Sequence, residues 1–302
     1  RIISFNTETA QVVYVPDADY HGPDSFTFVV IDDGGAGGES LSSDVATVSL
    51  EVSAVNDAPI NTIVGTDYVG DEDHPILIHG ISVSDADAAE QLMVTLSVQH
   101  GTLHLHSSGA GKATIDGDGT SELRISGTAD EINAILGAGI VYRGAVNFAG
   151  HDTLHVLTSD FGVSGDGGGL HDTSDIAITV RSTQEQIKAI DQVFEDLVES
   201  GELDSRAARS LTSKLNTNGS DRAQIGRLKA FTRQVKAFVR CGKLTAEQGS
   251  LLTEAANTIR ESLLIGRNQP HDAHSDDSGQ RQDSCKPDPR QHGHGKSGIM
   301  RF

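Results

Sequence analysis

The side chains in this 302-residue chain best placed for chemistry are carboxylates two residues apart. Ser84-Asp85-Ala86-Asp87 and Asp116-Gly117-Asp118-Gly119 both have that spacing. On a loop, such a pair can converge on one hard cation. Ca2+ takes about six to eight oxygens at roughly 2.3–2.6 Å, from carboxylates, amides and backbone carbonyls. Asp71, Glu72 and Asp73 form a third acidic cluster, ahead of an apolar run. Asp116 and Asp118 lack the remaining positions of an EF-hand loop, including its late glutamate, and read as a glycine-rich turn. Asp160, Asp166 and Asp172 around residues 162–169 read as a long hairpin loop. Nothing points to catalysis. Cys241 and Cys285 are the only cysteines and have neither metal spacing nor a disulfide framework. His100, His104, His106, His151 and His155 read as polar positions on strands or turns. No Ser-His-Asp arrangement, paired glutamate site, zinc spacing or phosphate loop stands out, so the chain is not expected to be an enzyme.

Charge divides the chain. Lys and Arg number 23 and Asp and Glu 43, for a formal charge of −20. Residues 1–182 hold 5 basic and 27 acidic residues, a balance of −22, whereas residues 183–302 hold 18 and 16, a balance of +2. A split this sharp implies two kinds of module meeting near residue 182. The acidic balance excludes a nucleic-acid binder, which needs a basic footprint. No run approaches the roughly 20 apolar residues of a membrane span. Glycine numbers 33, which weighs against an all-helical chain because each costs about 1 kcal/mol in a helix interior.

The elements that must hold the acidic loops come from a repeat at an offset of 128 residues. Tyr14, Tyr20, Gly22, Asp24 and Asp32 correspond to Tyr142, Phe148, Gly150, Asp152 and Asp160. A loop difference of three residues then aligns Asp44-Val-Ala-Thr-Val with Asp175-Ile-Ala-Ile-Thr. Only the last half of the first copy is present. Strands are expected at 12–15, 26–31 and 45–52. In the complete copy they are expected at 76–78, 93–98, 102–106, 122–125, 140–142, 153–157 and 176–180. Thr128 with Glu131 predicts a capping box opening one short helix at 129–136. Seven short strands with turns between them predict a β-sandwich.

The string YVPDADYHGPDSFTFVVIDDGGAGG, then DVATVSLEVSAVNDAPI, resembles the bacterial cadherin-like repeats of large surface and secreted adhesins. The second unit supports this with DEDHPILIHGISVSDADAAEQLMVTLSVQHGTLHL and LRISGTADEINAILGAGIVYR, and the resemblance covers essentially residues 1–181. It implies an extracellular, Ig-like sandwich stiffened by calcium at domain junctions. It also implies the ligands. Val55-Asn56-Asp57-Ala58-Pro59 resembles the inter-repeat linker, and Ser84-Asp85-Ala86-Asp87 the loop of the domain that follows. Asn56, Asp57, Asp85 and Asp87 are therefore the candidate Ca2+ ligands, with Glu72 a possible added carboxylate. The acids expected from the base of the preceding domain belong to the absent half or fall to Asp32 and its neighbour Asp33. Solvated turn carboxylates are the competing reading.

From Ser182 the hydrophobic period changes to 3.6. Ser182 and Glu185 make a capping box, Ile187, Ile190, Phe194 and Leu197 share a face, and Gly201 is a stop signal. Further helices are expected at about 205–215 and 222–240 and from Thr245, where Gln248 completes another box. A second repeat, at offset 41, pairs Gly201, Leu203 and Leu211 with Gly242, Leu244 and Leu252. Two αα-hairpins predict a four-helix arrangement. RLKAFTRQVKAFVRCGKLTAEQGSLLTEAANTI resembles the FIMAH module of secreted bacterial proteins, over about residues 184–265. Lys229, Arg233, Lys236 and Arg240 form a basic stripe, read as a solvated face partly paired with the acidic first helix, or as an anion site for acidic glycans. No clamp is expected at Val180-Arg-Ser-Thr-Gln-Glu, leaving that joint flexible unless other contacts fix it. Residues 266–302 are polar and expected to be disordered, with at most weak metal binding by His271, His274, His292 and His294.

The expected organisation is multidomain: all-β cadherin-like, Ig-like sandwiches followed by a small all-α four-helix module. Its parts are a truncated repeat at 1–54, a complete repeat at 55–181, the helical module at 182–265 and the tail at 266–302. The chain starts at Arg1 inside a repeat, so a longer parent is expected. The expected function is a non-catalytic, calcium-binding spacer or adhesion segment of a secreted or cell-surface protein. The alternative is an accessory C-terminal region of a secreted enzyme whose catalytic domain lies upstream. Expected partners are adjacent repeats of the same longer chain and a surface glycan or protein, with no nucleic acid.

Overall fold

Alternating small and β-branched residues build the first 54 residues into two hairpins. The computed structural model describes residues 2–6, 9, 11–35, 37–87, 91–107, 112–162, 164–216 and 218–265. Strand β1 (Ile2–Asn6) pairs antiparallel with β2 (Gln11–Tyr14), and β3 (Gly22–Phe28) with β4 (Ala46–Val52). Val48, Leu50 and Val52 share one face of β4 and are half-buried. No described residue before Asn56 is fully buried, so this part has an apolar face but no core.

The second unit has that core. Its strands are β5 (Ile60–Ile63), β6 (Asp67–Asp71), β7 (Ile76–Ile78), β8 (Ile81–Ser84), β9 (Leu92–Ser97), β10 (Gly101–Leu105), β11 (Thr114–Asp116) and β12 (Glu122–Gly127). Helix α1 (Ala129–Leu136) then precedes β13 (Ile140–Gly144), β14 (Gly150–Ser159) and β15 (His171–Arg181). One sheet runs β11-β12-β9-β14-β15-β6, a second β10-β13-β7, and β5 pairs with β8. Their inward residues form one core, with Leu92, Leu96, Leu154 and Ile178 from the larger sheet and Ile78, Leu103 and Tyr142 from the smaller. This is a sandwich-like arrangement. Helix α1 starts at the Thr128–Glu131 capping box, and Asn133 bonds both the N–H and the carbonyl of Val83 at 2.8 Å.

Five strands were not foreseen: β1, β5, β6, β8 and β11. Each has only three to five residues, too few for an alternation to stand out. The three-residue loop difference also disappears. Gly22 pairs with Val52 and Gly150 with Val180, so both hairpins keep the offset of 128 throughout. The shifted alignment would equate Val45, 67% exposed, with Ile176, fully buried; an odd shift turns every side chain to the other face.

The repeat preserves a polar device. Tyr14 OH donates to Asp24 Oδ2, and Tyr142 OH donates to Asp152 Oδ2 at 3.0 Å. Asp152 also accepts from the N–H groups of Gln99, His100 and Thr153. Burial pushes its carboxyl up, but these donors outweigh it and hold its pKa below the usual carboxylate range. The Tyr142 hydroxyl is pushed up by burial and by Asp152.

Helices α2 (Thr183–Glu199), α3 (Ser205–Thr212), α4 (Asp221–Arg240) and α5 (Ala246–Ile265) follow. Ser182 and Glu185 form the capping box of α2, and Thr245 and Gln248 exchange bonds at the start of α5. Gly201 and Gly242 take φ of 77° and 73°, where a side chain would be strained, and Leu203 and Leu244 turn inward after them. Phe194 and Phe231 meet edge to face at 6.0 Å within a shared core. The tail at 266–302, with its histidines and Cys285, lies outside the described residues.

Tyr142→Phe leaves the buried Asp152 carboxylate one donor short. It is expected to destabilise the chain by about 1–3 kcal/mol in denaturant titration, with the loss confined to the sandwich; no change would refute a structural role for this bond.

Candidate cation site at the repeat linker

The linker after β4 is stitched to the loop between β14 and β15. Asn56 N–H donates to Asp166 O at 2.9 Å, and Asp166 N–H returns a bond to Ala54 O at 3.1 Å. Only a glycine fits at 165, where a Cβ would sit 2.6 Å from the Ala54 backbone. Asn56 is 5% exposed. Its Nδ2 donates to Asp160 Oδ2 at 2.9 Å and Gly168 O at 3.0 Å, and its Oδ1 accepts from Ser164 Oγ at 2.9 Å. Asp160 is fully buried, and its Oδ1 accepts from Gly162 and Leu170 N–H groups.

The loop after β8 reaches the same place. Asp57 N–H donates to Asp87 Oδ2 at 2.9 Å, and Asp87 N–H donates to Asp85 Oδ1 at 2.9 Å. Asp85 Oδ2 is buried and has no partner. Burial raises the Asp85 pKa most, the Asp87 N–H opposes that, and the charges of Asp87, Asp160 and Asp57 raise it further. Four carboxylates therefore share one neighbourhood: the expected Asp57, Asp85 and Asp87, and Asp160.

Two expected ligands lie elsewhere. Asp32 stands beyond the Phe28–Ala46 end of its hairpin, six register steps from the Gly22–Val52 end that leads into the linker. At about 3.4 Å per step that is roughly 20 Å. Its Oδ1 accepts from Gly34 and Leu41 N–H groups, as Asp160 Oδ1 does from Gly162 and Leu170, so Asp32 is the counterpart of Asp160 and not of the linker acids. Glu72 follows β6, at the opposite end of the complete unit. Its N–H donates to Arg181 O at 3.0 Å, and its Oε1 accepts from Thr183 N–H at 2.6 Å and from Thr183 Oγ1. Its carbonyl accepts from Ser262 Oγ at 2.8 Å, and Arg181 pairs with Asp71 at 2.7 Å. Glu72 thus ties the sandwich to α2 and α5, and the joint after Arg181 is held by these bonds. Asp160 carried a signal in sequence, its match to Asp32 across the repeat; Ser164 carried none.

The donor set fits a hard divalent cation in chemistry: all oxygen, mostly carboxylate, with one orphaned buried oxygen in Asp85. Asn56 spends its amide on Asp160, Gly168 and Ser164. Among the described residues no three His, Cys, Asp or Glu side chains already converge as a ligand group.

No protein-family model and no curated protein matches the chain. Solved structures do. Human protocadherin-24 EC1-2 is 14% identical with a TM-score of 0.33, over 59% of this chain and 75% of that one. The protocadherin gammaB7 EC3-6 cis-dimer is 18% identical with a TM-score of 0.30, over 60% and 39%. A structure described as manganese lipoxygenase of Gaeumannomyces graminis with partial zonadhesin of Komagataella pastoris is 10% identical with a TM-score of 0.24, and the match spans 52% of this chain and 55% of that one. At these identities and TM-scores, the description of the fold rests on the strands and their pairing.

Asp85 yields a pH signature. An acid whose folded pKa lies above its ordinary value, here 3.8, penalises the fold at pH above the raised pKa, and the penalty fades as pH falls through the raised pKa toward 3.8. In metal-free buffer at pH 7, Asp85→Asn is expected to raise the melting temperature by a few degrees, a gain that disappears in acid. A gain independent of pH would contradict the like-charge account.

Proposed function

We propose that the linker and its two facing loops take up Ca2+, and that the chain is a non-catalytic, cation-stiffened spacer or adhesion module of a secreted or cell-surface protein. The observation that carries this reading is the buried, unpartnered Oδ2 of Asp85 beside Asp57, Asp87 and Asp160. Four acids held together by backbone stitching carry repulsion that one divalent ion offsets. Asp57, Asp85, Asp87 and Asp160 would hold the ion, with Asn56 organising Asp160 from behind. The ion's contribution is charge neutralisation and cross-linking of linker to loops, which converts a chain connection into a rigid joint.

The resemblance to cadherin-like repeats supports this reading, as does the lack, among the described residues, of any helix long and apolar enough to cross a membrane. The domain boundaries at 54/55 and 181/182 belong to the same proposal: a half repeat, a complete repeat and a FIMAH-like helical module in a longer chain. Adjacent repeats of that chain are the proposed partners along its axis.

Calorimetric titration with Ca2+ is expected to show saturable binding and a rise in melting temperature. At 100 times Kd the stabilisation is about 2.7 kcal/mol. Asp85→Ala with Asp87→Ala is expected to abolish the rise, and Glu72→Ala to leave it intact. An unchanged rise in the double variant, or none in the parent chain, would sink the proposal.

A further inference from the structure

Helix α4 has six basic residues and one acid, Asp221, in a chain whose net charge is −20. Arg227 is occupied with the Asn216 and Asn218 carbonyls. Lys229, Arg233, Lys236 and Arg240 are all exposed and recur at intervals of four, three and four residues. Pairing with the acidic α2 was expected, but no ion pair among the described residues joins any of the four to a carboxylate. Helix α4 packs chiefly on α5 and meets α2 through the core pair Phe231 and Phe194. Four cations thus line up along about 16 Å of helix at 1.5 Å per residue.

Beside the stripe lies an open groove of about 960 Å³ between α4 and α5. Lys236 and Arg240 form one wall, and Ser250, Thr253, Glu254 and Asn257 line the other. Glu261 stands with His74 of the sandwich in the same groove. The Ser250 hydroxyl and the half-buried Thr253 and Asn257 side chains have no hydrogen-bond partner among the described residues. Cations in a row next to free hydroxyl and amide groups match a chain with a negative charge on each ring and hydroxyls between charges, with the charged groups on the α4 side and the hydroxyls toward Thr253 and Asn257. Nucleic acid fits less well, because both aromatics of α4, Phe231 and Phe238, are turned inward and offer no stacking platform. A lipid surface fits less well, because α4 exposes no large apolar side chain for insertion.

We propose that the α4 stripe and the α4–α5 groove bind an acidic polysaccharide. The groups involved are distinct from the linker carboxylates, so this inference stands independently of the cation reading.

The test is equilibrium binding of the full chain to oligogalacturonate, neutral dextran and inorganic polyphosphate, in EDTA to remove any cation bridge. Oligogalacturonate is expected to bind and to weaken severalfold between 50 and 300 mM NaCl, and dextran not to bind. Lys229→Gln with Arg233→Gln, Lys236→Gln and Arg240→Gln should lower affinity at least tenfold while the helical circular-dichroism signal is unchanged. Thr253→Ala with Asn257→Ala should weaken oligogalacturonate severalfold and leave polyphosphate unaffected. Failure of oligogalacturonate to bind, equal binding of dextran, or polyphosphate binding as tight as oligogalacturonate would overturn the proposal. So would full affinity in the quadruple variant.

Discussion

The ten-pair register between β14 and β15 sets the spacing of everything else in the complete repeat. At one end, Ser159 opposite His171 delivers Asp160 to the linker. At the other, Gly150 opposite Val180 brings Arg181 beside β6, where Glu72 and α2 begin. Nine steps along β15, at about 3.4 Å each, keep the two ends roughly 30 Å apart. An acidic residue in a loop flanking these strands therefore serves one end or the other. Which end it serves follows from the strand it flanks and is independent of its distance in sequence from the linker.

At the linker end, hydrogen bonding and charge pull in opposite directions. Backbone N–H groups of Asp57, Asp87, Gly162 and Leu170 satisfy one oxygen each of Asp87, Asp85 and Asp160, which fixes the loops against one another. The same bonds crowd four like charges into a half-buried space, and the orphaned Asp85 oxygen has neither a donor nor water access. Such a group costs about 1–3 kcal/mol or more, so the arrangement is a strained one unless a cation relieves it. The opposite end lacks that conflict. There Glu72 accepts bonds from Thr183 and Ser262 contributes its hydroxyl, and the one orphaned buried oxygen among the described residues at that end, Asp73 Oδ2, has no cluster of carboxylates like that at the linker around it.

Much of this was legible from residue order. The helices were, because their boundaries are chemical: Ser182 with Glu185, Thr245 with Gln248, and the stops at Gly201 and Gly242. The long strands were, because Val48, Leu50 and Val52 alternate visibly. Asp85 and Asp87 stood out by their spacing and Asp57 through the resemblance of its linker, and the structure brings the three side by side. What was hidden depended on pairing partners far along the chain. Strand β6 is only five residues long and pairs in parallel with β15, more than a hundred residues away, so nothing local revealed that Glu72 faces Thr183. The three-residue offset in the repeat was attractive because it aligned letters, but pairing and burial rule it out: it would have turned the inward face of β4 outward. Asp32 was expected to stand in for the acids that the resemblance assigns to the base of the preceding domain, yet a hairpin carries its loop away from its own base.

The division of charge, −22 in the β repeats and +2 beyond, also takes a physical form. Acids collect at the linker end of the sandwich and cations along α4, and no ion pair among the described residues connects the two groups. The junction between the modules relies on buried hydrogen bonds and on one exposed contact, His74 with Glu261 of α5 at 3.7 Å, which is an ion pair only when the imidazole is protonated and is then worth at most about 1 kcal/mol. Screening removes little from such a joint, because its bonds are short and its groups are mostly out of water. Charge thus contributes little to holding the modules together. The carboxylates of one and the cations of the other remain unspent on each other and available to ligands of opposite sign.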